Sequence, residues 1–100
     1  LKVILECHYL TPEQIVAGAQ LAVQGGADWI KTSTGWAPTG ATLENVALIK
    51  KTVGDKIHVK AAGGIRDLDT VKKMYDLGVE RFGVGVKTIY KLLDEIENER

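Results

Sequence analysis

Lys31 and Lys60 are the side chains of this sequence best suited to do chemistry. Each lies in a short apolar run, Ala27-Asp28-Trp29-Ile30-Lys31 and Ile57-His58-Val59-Lys60-Ala61-Ala62. Both runs have the look of buried strands, where an unpaired ammonium group is costly. A lysine that acts as a nucleophile must first lose its proton, and at an unperturbed pKa of ~10.4 only about one in a few thousand is neutral at pH 7. Desolvation and a neighbouring cation both lower that pKa. Adjacent parallel strands lie about 4.8 Å apart, so on neighbouring strands each amine would be the other's cation. That pairing suits Schiff-base (imine) chemistry. The simpler alternative is a lysine that snorkels from a strand end and pairs with Glu6 or Asp28.

Lys2 extends the pattern, because residues 2, 31 and 60 are separated by 29 positions each time. The spacing predicts a repeated unit with the three lysines at the same place in their strands and pointing the same way. Hydroxyls follow Lys31 at once, in Thr32, Ser33 and Thr34, and are candidates to hydrogen-bond a substrate, turn and capping chemistry being the alternative. Gly63-Gly64 and Gly83-Val84-Gly85 each follow a strand and precede a helix start. Bare backbone N–H groups in such a place bind phosphate. Cys7 and His8 are adjacent, but no other Cys or His has metal-ligand spacing, so neither a metal nor another cofactor is expected. His58 reads as a lining or structural residue, Trp36 as a pocket wall or packing residue, and the Lys50-Lys51 and Lys72-Lys73 pairs as solvated.

These residues need elements to hold them. Strands are expected over Leu1–Glu6, Ala27–Thr32, Ile57–Ala62 and Glu80–Gly83. Helices are expected from Thr11-Pro12-Glu13-Gln14, a capping box with proline in the first turn, to Gly25-Gly26. Two more start at the caps Thr42 and Asp67, and a last one at about Val86, with its acidic tail Asp94–Arg100 frayed. Four β-α units in a row imply an α/β fold with parallel strands and right-handed crossovers. Two architectures fit: a small open sheet with helices on both faces, or half of an eight-stranded barrel.

The bulk properties narrow the function. The chain has 100 residues, 45% apolar and 26% charged, with a formal net charge of zero. That profile fits one globular domain and carries no basic footprint for nucleic acid. No apolar run approaches the ~20 residues of a membrane span. A single cysteine fits a reducing, cytoplasmic compartment. The chain opens inside a strand with no initiator Met, which leads to the expectation of a fragment.

Leu1-Lys2-Val3-Ile4-Leu5-Glu6, Ile30-Lys31-Thr32-Ser33-Thr34-Gly35 and Val59-Lys60-Ala61-Ala62-Gly63-Gly64-Ile65-Arg66 resemble the deoxyribose-phosphate aldolase family, in the same order and at the same distances. The resemblance runs from Leu1 to about Val86 and corresponds to strands five to eight of that family's TIM (β/α)8 barrel. It implies that residues 1–100 are a single half-barrel region, the C-terminal half of a barrel of ~220–250 residues. It also implies a metal-independent class I aldolase that cleaves 2-deoxy-D-ribose 5-phosphate to glyceraldehyde 3-phosphate and acetaldehyde. Lys31 matches the Schiff-base lysine. Lys60 matches the second lysine, which depresses the first one's pKa and moves protons, and Lys2 matches a pocket-lining lysine of strand five. Gly63, Gly64 and the turn Gly83-Val84-Gly85 match the phosphate loops. The sequence departs from the family in two ways. Val84-Gly85-Val86 stands where hydroxyl residues usually follow the strand-eight glycine, and the strands that carry the acid/base aspartate are not in this sequence. The expected partners are a sugar phosphate and either a second copy, as a homo-oligomer, or a missing N-terminal half. A non-catalytic half-barrel that at most binds phosphate, or another phosphate-handling barrel enzyme, are the rival readings.

Overall fold

The structure is a computed structural model that describes residues 1–99. Four short strands, β1 (Lys2–Ile4), β2 (Trp29–Lys31), β3 (His58–Ala62) and β4 (Arg81–Gly83), alternate with four helices. The helices are α1 (Pro12–Gln24), α2 (Leu43–Val53), α3 (Leu68–Asp76) and α4 (Val86–Asn98). The strands are all parallel and lie in the sequential order β1-β2-β3-β4. That order decides between the two architectures. Right-handed crossovers that always step in one direction put every helix on the same face, whereas a doubly wound sheet must reverse direction. The chain is therefore a segment of a (β/α) barrel wall, with the inner face of the sheet uncovered by this chain.

Alternation along the strands separates the two faces. Ile30, Val59 and Ala61 point outward and are fully buried under the helices, packed with Ala19, Val46, Ile49 and Met74. Lys2, Trp29, Lys31, His58, Lys60 and Arg81 have the opposite parity and form the inner face, which accounts for lysines inside otherwise apolar runs.

Helix starts follow the expected chemistry. Thr11 and Gln14 close a reciprocal capping box, and Thr42 closes another with Asn45. Asp67 accepts from the Thr70 amide at 2.7 Å, which holds its carboxyl below the usual carboxylate range. A 3-10 turn, Cys7–Tyr9, was not expected from the sequence. It buries Cys7, whose amide donates to the Thr32 carbonyl at 2.9 Å, so β1 and β2 are joined beyond their last ladder bonds. The frayed acidic tail is corrected. Helix α4 continues to Asn98 because its carboxylates have partners: Glu95 accepts from the Leu68 amide at 2.8 Å and Glu99 pairs with Lys72 at 2.6 Å. Arg100 lies outside the described residues. Among the described residues no helix is long and apolar enough to cross a membrane.

Candidate active site

Lys31 and Lys60 are direct register partners on β2 and β3. Both point to the inner face, and both are partly buried. Burial holds the Lys60 amine below the usual lysine range, and the charges of Lys2, Lys31 and Arg81 push it the same way. Lys2 stands lower than the equal spacing implied. Its register partner is Trp29, and the partner of Lys31 is Ile4, because β1 is staggered by one pleat against β2. A stagger of this kind is what closing a sheet into a barrel requires.

At the C-terminal ends of the strands lies a cleft of about 390 Å³ lined by Lys31, Thr34, Gly35, the turn Ala62–Arg66 and the turn Gly83–Gly85. Lys31 is the lysine that reaches it. Lys60 and Lys2 sit below it on the sheet, outside the lining. Gly63 and Gly64 both have positive φ, 83° and 75°, so the turn is open to glycine and strained for other residues. The turn is also locked from behind. A Cβ on Gly40 would stand 2.6 Å from Gly63 backbone atoms, and the Ala41 amide donates to both Ala62 and Gly63 carbonyls at 3.0 and 2.9 Å. The long loop after β2 thus clamps the glycine turn after β3.

On the far side of the cleft Gly85 is the N-cap of α4 and offers no side-chain cap. With Gly85 in the cleft lining and no side chain capping the first turn of this helix, the arrangement favours an anion. In contrast, the α3 start is occupied by the Asp67 and Glu95 carboxylates.

The hydroxyls divide differently from the sequence pattern. Thr32 and Ser33 are fully buried. The Thr32 hydroxyl donates to the Ala62 carbonyl at 3.0 Å and accepts from the Ala62 amide at 3.1 Å, so it braces β2 on β3. Thr34, not Thr32 or Ser33, lines the cleft. Its amide and hydroxyl both donate to the Glu6 carboxylate, at 3.1 and 2.5 Å. Those bonds hold Glu6 below the usual carboxylate range, with smaller help from His8 and Lys31. Glu6 sits at a left-handed φ of 58°, uncommon for a side-chain-bearing residue. Arg66 lines the cleft too, and the motif it belongs to was its only signal in the sequence. Trp36 is 92% exposed and walls nothing within the chain. His58 lies on the inner face and pairs with Glu80 at 2.7 Å.

A strand-borne lysine pair beside a cleft lined by two glycine turns, on a barrel wall, defines a class of protein, and the comparisons agree. Residues 10–98 match the family model described as Histidine biosynthesis protein, a family of barrels, and the chain belongs to that family. More narrowly, it is homologous to the C-terminal part of deoxyribose-phosphate aldolases. It is 54% identical over 96 residues to the deoxyribose-phosphate aldolase of Klebsiella pneumoniae subsp. pneumoniae, covering 96% of this chain and 39% of the relative. Among solved structures it is similar to QR15, an aldolase, with a TM-score of 0.86 and 44% identity over 97% of this chain and 43% of that one. It is also similar to the tetrameric deoxyribose phosphate aldolase of Aeropyrum pernix, with a TM-score of 0.82 and 26% identity, covering 99% and 42% of the two chains. The chain spans about two fifths of the length of the relatives it matches. The family model and the relatives carry different functional names, which a shared barrel permits. Identity of this level across nearly the whole chain sets its own sequence with the aldolases.

Proposed function

We propose that this chain carries the imine-forming lysine of a class I aldolase, and that the enzyme built on it reversibly cleaves 2-deoxy-D-ribose 5-phosphate to glyceraldehyde 3-phosphate and acetaldehyde. The observation that carries the reading is the register pair Lys31–Lys60, with Lys31 at the end of β2 entering the cleft between two glycine turns.

The phosphate is held by the backbone of Gly63-Gly64 and Gly83-Val84-Gly85, by the open first turn of α4, and by Arg66. This leaves the open-chain aldehyde C1 toward Lys31. The neutral amine adds to C1, and the carbinolamine loses water to give a protonated imine. A base takes the proton of the C3 hydroxyl. The C2–C3 bond breaks, its electron pair moves to the iminium nitrogen as an enamine, and glyceraldehyde 3-phosphate leaves with the new C3 carbonyl. Protonation at C2 and hydrolysis release acetaldehyde and restore Lys31. Lys60 suits the proton transfers, since an amine with a lowered pKa is a better base near neutrality. Lys2 adds charge from below. Thr32 and Ser33 support the strand end that carries Lys31 instead of contacting the sugar. The unpaired Cys7 suits a cytoplasmic setting. Assembly into oligomers, or with a complementary half-barrel, completes the proposal.

Borohydride trapping tests it. The chain is incubated with acetaldehyde or deoxyribose 5-phosphate, reduced, and the adduct located by mass. An adduct on Lys31 that disappears in Lys31→Leu is expected. No adduct, under conditions that label an intact relative, would remove catalysis from this chain. A second reading, a half-barrel that binds phosphate without catalysis, is favoured by one observation: the cleft lining contains no carboxylate, and Glu6 beside it is bound to Thr34. It predicts protection of the cleft by inorganic phosphate with no adduct.

A further inference from the structure

Below the cleft, the inner face carries a cluster with no part in the steps above. The Arg81 guanidinium carbon lies 4.3 Å from the Trp29 ring centroid. The Trp29 ring is tilted by 31° on the His58 ring, with centroids 4.8 Å apart. The His58 imidazole pairs in turn with Glu80 at 2.7 Å. Arg81 belongs to β4 and Trp29 to β2, and β3 lies between them. Arg81 and Trp29 therefore meet across the inner face of β3, whose successive inward residues there are His58 and Lys60. Lys60 is also the register partner of Arg81. The next inward position of β4 is Gly83, where a Cβ would stand 3.7 Å from the Lys60 Cε, so the lysine stem runs over that glycine.

We propose that Arg81 is a positioning residue for Lys60: laid on the Trp29 ring and crossing β3, it supplies a fixed positive charge beside that amine. Arginine is the side chain that can do this, because it stays protonated where a lysine can shed its proton. In a cluster of Lys2, Lys31, Lys60 and Arg81, repulsion is relieved only by a lysine, and Lys60 is the lysine in register with Arg81 on the adjacent strand. The groups facing Lys60 are Lys2 from β1, Lys31 from β2 and Arg81 from β4. The neighbouring carboxylates are occupied, Glu6 by Thr34 and Glu80 by His58. Burial of Lys60 acts in the same direction as these charges. The use of Lys60 in proton transfer rests on the function proposed above. The coupling of Arg81 to Lys60 does not.

The test is the titration of Lys60 itself in the full chain, by competitive labelling with acetic anhydride across pH and mass analysis of the Lys60 peptide. In Arg81→Gln the midpoint is expected to rise by roughly half a unit to one unit, the size of one like-charge contact at ~4 Å screened as in water. Arg81→Lys, which can shed its proton and loses the planar stack on Trp29, keeps only part of the wild-type midpoint. Trp29→Leu, which frees the guanidinium, moves the midpoint upward as well. A natively folded Arg81→Gln chain whose Lys60 midpoint is unchanged overturns the proposal. If Arg81→Gln does not fold, an unchanged midpoint in Trp29→Leu overturns it. Borohydride trapping is read separately. A shifted midpoint with no Lys31 adduct rejects the aldolase reading and keeps the coupling, and the reverse rejects the coupling alone.

Discussion

The Thr32 hydroxyl is both donor and acceptor to the Ala62 backbone, in a position with no solvent access. Replacing it in Thr32→Val leaves the Ala62 amide without that oxygen, and a buried unsatisfied group costs about 1–3 kcal/mol. The urea midpoint should fall accordingly, while Lys31 remains available to trapping in the folded fraction. Lys60 gives the opposite sign. Its amine is held below the usual 10.5, so the unfolded chain binds its proton more tightly than the folded one. Stability is therefore reduced while the group is protonated and recovers as pH rises through its folded pKa toward 10.5. Lys60→Met should raise the urea midpoint at pH 7, with a gap over wild type that closes as the pH is raised. At this scale the residue types and the common direction of the lysines were legible, and the directions of the hydroxyls were not. Lys31 and Lys60 announce themselves by lying in apolar runs. Nothing in Thr32-Ser33-Thr34 says which hydroxyl turns to the cleft, because that depends on where the Ala62 backbone lies in the neighbouring strand.

Caps and turns were legible at the scale of the element because their chemistry is local. Thr11 with Gln14, and Thr42 and Asp67 at the starts of α2 and α3, act within three or four residues of themselves. Stagger was not legible. An equal spacing of 29 predicts three lysines at one level, but register is set between strands, and β1 pairs Lys2 with Trp29. The α4 tail was misread for the same reason: Glu95 and Glu99 find their partners on α3, far off in sequence. The clamp of Gly40 on Gly63 is likewise non-local and can be tested. In Gly40→Ala the new methyl meets the Gly63 backbone at 2.6 Å, where no side chain can move aside. Overpacking of this kind costs ~1–3 kcal/mol. Thermal unfolding should show that loss together with weaker protection of the cleft by inorganic phosphate. The same denaturation with intact phosphate protection would mean that the clamp does not shape the turn.

For the whole molecule, the strand order turns four β-α units into part of a barrel wall, and this was legible only as one of two choices. Alternation predicts parallel strands in either architecture, while the side on which each helix lands is fixed by the direction of strand addition. The uncovered inner face carries Lys2, Lys31, Lys60 and Arg81. Two copies closing face to face would set like charges against each other across the interior. Self-association of this chain should accordingly strengthen with added salt, as screening shortens the reach of those charges. Sedimentation velocity at low and high ionic strength measures it. Self-association that weakens with salt would mean that copies meet elsewhere.

Cys7 gives the joint between β1 and β2 a built-in clock. Its thiol is buried, and burial pushes its pKa up to about 11, so in the closed chain it is neither accessible nor ionised. A thiol reagent can reach it only when the Cys7–Tyr9 turn lifts from the Thr32 carbonyl. The labelling rate thus counts the openings of the strand end that presents Lys31, a local event distinct from global unfolding. Compared with and without phosphate, that rate would report whether an occupied cleft holds this end of the sheet shut.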